Sequence, residues 1–224
     1  MRKMIALMSA LVVSGGILAA RPQAPGRPAR DVAADLQKKY DAIRDFTADF
    51  VDNYESGMLH KKRIERGTLQ VKKPGKMRWE YKTPEPKTFV SDGRRMYMYV
   101  PADKQVIVSP VPEADQATTA VLFLAGKGNL TRDFKVSYAE GGTDTTYAFR
   151  LDPRLPERDY DWLQLVVDRA SLQIRALTFA DKQGGRSTLQ FSNFKENPGL
   201  SDKTFAFKIP RGTDVITADS GPGR

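Results

Sequence analysis

Near residue 45 the apolar pattern of this chain changes its period. Before that point Val32, Leu36, Tyr40 and Ile43 recur at helical spacing behind Asp31, a suitable N-cap. They predict one amphipathic helix over 31–44. After it, apolar and polar residues alternate, and the alternation returns in segment after segment to about residue 194. Phe46, Ala48 and Phe50 alternate with Thr47 and Asp49, and Leu69 and Val71 with Thr68, Gln70 and Lys72. Met77, Trp79 and Tyr81 alternate with Lys76, Arg78, Glu80 and Lys82, so one face is apolar and aromatic and the other charged. A period of two belongs to a strand with one buried face.

Lys73-Pro74-Gly75 and Asp92-Gly93 read as turns between such strands. Further strands are expected near 87–91, 95–100 and 105–109, and again at 134–140, 145–151, 162–168, 173–180 and 186–194, with a last short one near 205–208. Between the two sets, residues 110–131 lose the alternation. There Val121, Leu122, Phe123 and Leu124 form an apolar run that Thr118 or Thr119 can cap and Gly126 can end, a second short helix. Many short antiparallel strands with few helices predict one curved sheet. Its apolar face must be covered, and two short helices cannot form a second full layer. The expected fold is mainly β: an unclosed antiparallel barrel, a half-barrel of about eleven strands, with a helical lid over a hydrophobic cavity.

Composition narrows the chemistry. The chain has 224 residues, no cysteine and one histidine. Disulfides, thiolate metal sites, a cysteine nucleophile and an acylated cysteine are excluded, and one histidine excludes multi-histidine metal sites. No G-x-S-x-G, H-E-x-x-H or P-loop is present. Gly126-Lys127-Gly128 follows no strand and lacks the rest of a phosphate fingerprint, and His60 stands alone in a charged loop. The sequence assigns no catalytic residue, no metal ligand and no cofactor, and the protein is read as not an enzyme.

The start, MRKMIALMSALVVSGGILAA, has a basic beginning, an apolar run and small residues at its end. Residues 1–20 read as a secretory signal peptide, since the run is shorter than the ~20 residues a spanning helix needs. The same pattern can serve as a short N-terminal anchor. Residues 21–30, rich in Pro, read as a flexible leader. The formal net charge is +9, and removal of Arg2 and Lys3 with the signal leaves +7. Export and the lack of any nucleic-acid signature argue against nucleic acid as partner. The charge then serves a docking surface or plain solubility.

The strongest positive signals are apolar. Phe46, Phe50, Leu69, Val71, Met77, Trp79, Tyr81 and Phe89 are the candidates for lining the cavity, and each can equally be ordinary core. Lys73 stands out because counting by twos from Leu69 and Val71 turns it inward at the strand end. A buried ammonium needs partners, though a turn lysine also reaches water easily.

The run from Gly67 to Tyr81, with Val90-Ser91-Asp92-Gly93, Met96 to Tyr99, Lys104-Gln105-Val106, Leu122 to Arg132 and Phe205 to Gly212, resembles the outer-membrane lipoprotein carrier family, LolA. The similarity runs from Asp31 to about Ile216. It implies one carrier domain over 31–218 with a flexible tail at 219–224. It implies a monomeric periplasmic chaperone that accepts acylated lipoproteins from an inner-membrane LolCDE-type transporter and delivers them to an outer-membrane LolB-type receptor. In such proteins a basic residue before the Pro, typically Arg and here Lys73, bonds to the lid and holds the empty cavity closed. The segment 118–126, with Val121 to Leu124, is the expected lid partner. The alternative is a periplasmic sensor of the same half-barrel, like RseB, but those carry a further C-terminal domain and this chain ends at 224 with a polar tail.

Overall fold

A computed structural model of the protein describes residues 26–58, 61–111, 124, 126, 128–157 and 160–217. The signal-like start, Val121, Leu122, Phe123, His60 and the tail at 219–224 lie outside the described residues.

Helix α1 spans Ala29–Ala42 and buries Val32, Ala33, Leu36, Gln37 and Tyr40 along one side. It begins earlier than the apolar pattern suggests. Pro28 occupies the N-cap without a side-chain cap bond, and Asp31 instead lies in the first turn, where a carboxylate faces the positive end of the helix dipole. Ile43 is already extended and remains buried, so the chain leaves the helix and enters the sheet without losing an apolar contact.

Six strands follow: β1 (Asp45–Glu55), β2 (Lys62–Lys72), β3 (Lys76–Thr83), β4 (Lys87–Asp92), β5 (Arg95–Val100) and β6 (Gln105–Pro110). After the one-turn helix α2 (Leu130–Asp133) come β7 (Phe134–Tyr138), β8 (Thr146–Pro153), β9 (Trp162–Asp168), β10 (Ile174–Ala180), β11 (Arg186–Glu196) and β12 (Asp214–Thr217). They form one sheet in the order β12-β6-β5-β4-β3-β2-β1-β11-β10-β9-β8-β7. Its two edges, β12 and β7, are not joined, so the barrel is unclosed. All pairs are antiparallel except β12 on β6.

Register explains why one face is apolar from edge to edge, because residues directly opposite each other share a face. Leu69 opposes Trp79, Trp79 opposes Phe89, Phe89 opposes Met98, Met98 opposes Ile107 and Ile107 opposes Ile216. In the other half Leu189 opposes Leu177, Leu177 opposes Leu165 and Leu165 opposes Phe149. Helix α1 packs on this inner face in a single apolar cluster with these strands.

The final strand differs from expectation. Phe205 and Phe207 alternate as a strand would, but residues 202–205 form a 3-10 turn capped by the Ser201 side chain, and the strand lies further on, at β12. The two rings go to the outer face instead. Phe205 is buried, and Phe207 packs on Tyr97 and Tyr99 at 5.3 and 6.1 Å between ring centres. With Val90, Val106 and Val108 buried there too, a strap covers the outer face of β3–β6. This is why β5 is apolar on both sides.

Candidate functional site

The inner face is most aromatic where β1, β2 and β3 meet. Phe50 meets Trp79 edge-on at 4.9 Å and Tyr81 at 5.0 Å between ring centres. Gly67 opposes Phe50 on β2. A Cβ there would lie 2.0 Å from the Glu80 carbonyl oxygen and 2.9 Å from the Phe50 ring, so only glycine admits that ring. The Trp79 indole N–H donates to the Met77 sulfur at 3.4 Å, which satisfies the one polar group of a side chain that is only 2% exposed. Phe46 stacks on Phe194 at 4.7 Å.

Of the residues singled out from sequence, Phe46, Phe50, Leu69, Val71, Met77 and Trp79 are buried on this face, and Tyr81 and Phe89 lie on it half-buried. Exposure grows along the row from Trp79 outward: Ile107 is 38% and Ile216 45% exposed. The face therefore passes from a closed centre under α1 to an accessible apolar wing. Leu124, the one described member of the expected lid run, is buried.

Lys73 closes the end of this face near the β2–β3 turn. Its ammonium donates to the Tyr40 carbonyl in the last turn of α1 and stands 3.5 Å from the centre of the Tyr40 ring. Helix ends leave carbonyls unsatisfied and carry the negative end of the dipole, so a cation is favoured there. Among the described residues its acceptor belongs to α1; of the expected partner segment 118–126 only Leu124 and Gly126 are described. That segment is reached indirectly. The Tyr40 hydroxyl donates to the Leu124 carbonyl, and a Cβ on Gly126 would lie 2.8 Å from Lys73 Cδ. Gly126 also has φ of +77°, so both space and backbone call for glycine.

Tyr40 thus joins Lys73 to Leu124. Its place on the apolar helix stripe was visible in the sequence, but these bonds were not. A second tie was missed altogether: the Leu130 N–H donates to Gln37 at 2.8 Å, inside the core. An open cleft of about 560 Å³ beside Lys73, lined by Asp41, Ile43, Arg44, Pro74 and Leu200 among others, keeps the ammonium only partly buried. Burial lowers its pKa from the ordinary lysine value to about 8, with Asp41 pulling upward. Burial likewise pushes the Tyr40 hydroxyl upward.

Among the described residues no group of three or more His, Asp or Glu is arranged to hold a metal ion, and no helix is long and apolar enough to cross a membrane. Fold and site together define an unclosed half-barrel with α1 packed on its aromatic inner face and a lysine bonded to the last turn of that helix. Residues 41–208 match the family model described as outer membrane lipoprotein carrier protein LolA, and the chain belongs to that family. The outer-membrane lipoprotein carrier protein of Chromohalobacter salexigens is 30% identical over 82% of this chain and 86% of its own. That of Legionella pneumophila strain Paris is 32% identical over 81% and 87%. An uncharacterized conserved protein of Thermus thermophilus shares the fold, with a TM-score of 0.53 and 12% identity over 84% of this chain and 98% of its own.

Proposed function

We propose that this protein is a periplasmic carrier that shelters the acyl chains of lipoproteins on its inner face and hands them on. The observation that carries the reading is the unbroken apolar row from Leu69 to Ile216, in a member of a family whose relatives are named for lipoprotein carriage. The physical need is plain. Each acyl CH₂ exposed to water costs ~0.8 kcal/mol, so a multiply acylated polypeptide leaves a bilayer very slowly and aggregates once free. Such a carrier performs no bond chemistry, and its residues serve as surface and latch.

The finer reading follows the same line. Residues 1–20 act as a cleaved signal, and residues 31–218 act as one carrier domain working as a monomer. Cargo arrives from a LolCDE-type transporter and leaves to a LolB-type receptor. In the empty protein Lys73 holds α1 closed, which offsets part of the gain from binding acyl chains and so permits release. Mass spectrometry of protein purified from the periplasm tests this. The expected result is a processed N-terminus and co-purified acylated polypeptide at one per chain. Unprocessed protein that stays with membranes after carbonate washing, or mature protein carrying no acylated species, would contradict it.

A further inference from the structure

The inner face is not apolar over its whole length. Two residues beyond Phe50 on β1 stands Asp52, directly opposite Glu65 on β2, so two carboxylates share the face that Phe50 and Leu69 line. They lie at the end of the sheet away from Lys73. Glu65 keeps only 8% of its side chain exposed. It accepts from the Lys87 ammonium at 2.6 Å and lies 3.4 Å from Arg63 Nε. Lys87 itself sits 4.2 Å over the centre of the Tyr81 ring, at the edge of the aromatic cluster. Ser187 donates to Asp52 at 2.5 Å. Burial pushes the Asp52 carboxyl upward, and the charge of Glu65 adds to this, while the Ser187 bond, Arg63 and Lys87 pull it down.

Nothing in the packing of a half-barrel requires these groups. Buried ion pairs contribute little to stability compared with apolar residues of the same size, and the neighbouring row toward Lys73, with Phe50, Gly67 and Tyr81, carries no charge. What the cluster adds is polarity at one end of an otherwise greasy surface. An acylated polypeptide has the same division: hydrocarbon tails, then a short junction of ester and amide groups, then peptide. We propose that the Asp52–Glu65–Lys87–Arg63 cluster is the subsite for that ester- and amide-bearing junction, so that bound acyl chains point from this end of the sheet toward α1. The assignment rests on the carrier reading above and fixes the direction of the ligand within it. Lys87 and Arg63 each hold more N–H donors than the one spent on Glu65, and carbonyl oxygens of esters and amides are their natural acceptors. Asp52 keeps a carboxylate oxygen beyond the one bonded to Ser187, which suits an amide N–H.

The test compares two probes on one protein. The first is a synthetic peptide whose N-terminal cysteine carries a diacylglyceryl group. The second is N-phenyl-1-naphthylamine, an apolar fluorophore with no ester or amide. The double variant Glu65→Gln/Lys87→Gln removes both charges together and leaves neither stranded. Its affinity for the lipopeptide is expected to fall roughly tenfold or more, with affinity for the fluorophore unchanged. Arg63→Gln, at an exposed position, gives a smaller loss in the same direction and keeps the test open if the double variant folds poorly. Equal losses for both probes, or no loss for either, would overturn the subsite. A wild-type protein that binds the fluorophore but not the lipopeptide would overturn the carrier reading itself.

Discussion

Lys73 meets α1 through two groups of one residue, the Tyr40 carbonyl and the Tyr40 ring. A charge-assisted hydrogen bond contributes about 1.5–3 kcal/mol, less at a half-exposed site, so roughly 1–2 kcal/mol of closure is at stake, a five- to thirtyfold change in the closed-to-open ratio. Lys73→Leu removes this bond and adds apolar surface to the interior. Acyl ligand should bind more tightly by about that factor, and transfer to an acceptor should slow. Lys73→Arg should keep hand-off, since its planar fork supplies more donors. Affinity and transfer rate measured on all three proteins decide, and unchanged values in Lys73→Leu would contradict the latch. Gly126→Ala should loosen closure in the same direction, because it strains a left-handed backbone and pushes on the lysine stem. The latch also has a pH signature. Closed, the Lys73 pKa lies near 8 against an ordinary 10.5; opened to water, it returns toward the ordinary value. The closed form therefore binds fewer protons: below about pH 8 the cost of burying the ammonium offsets part of what its contacts with Tyr40 contribute, and that cost is relieved as pH rises from there toward 10.5, so closure strengthens. Ligand affinity should fall over that window in the wild type and less in Lys73→Leu; equal slopes would contradict the assignment. Of this site the sequence revealed the inward turn of Lys73 and the side of each alternating residue, because both follow from a period of two. The acceptor was hidden, because which helix end meets a strand end is fixed by tertiary packing.

Helix α1 is the element that covers the site, and it is held by packing first and by polar ties second. Leu36 is a fully buried contact of its apolar side, and Leu36→Ala should cost about 2–5 kcal/mol. Tyr40→Phe keeps the ring under Lys73 but deletes the hydroxyl bond to Leu124. It should cost about 1–3 kcal/mol, since the Leu124 carbonyl loses a buried donor. Denaturant unfolding measures both, and a Tyr40→Phe protein as stable as the wild type would show that this tie is not a stabilising one. The helix itself was legible from Val32, Leu36, Tyr40 and Ile43. The C-terminal strap was not. Phe205 and Phe207 alternate as a strand does, and nothing local distinguishes a paired strand from a segment that lays two rings on the outside of another strand. The apolar residues on both faces of β5 were the available signal. Met96 and Met98 serve the inner face, and Tyr97 and Tyr99 receive Phe207.

One curved sheet separates two faces, an apolar inner one on which α1 packs and an outer one that the C-terminal strap covers over β3–β6. The alternation of β1, β2 and β3 made the sheet and its sidedness readable in advance. Its openness followed from counting too few helices for a second layer. The charged cluster at Asp52 and Glu65 escaped notice, because two carboxylates on neighbouring strands look solvated until register sets them opposite each other. The two tryptophans of the chain report on the two faces separately. Trp79 is buried on the inner face, while Trp162 lies between the guanidinium groups of Arg150 and Arg186, at 4.3 and 5.4 Å from its ring centre. Fluorescence titration of Trp162→Phe and of Trp79→Phe with a diacylated lipopeptide decides whether acyl chains occupy the inner face. Emission from Trp79 should shift saturably, and emission from Trp162 should not. A silent Trp79 at saturation, or a response from Trp162 alone, would contradict that occupancy.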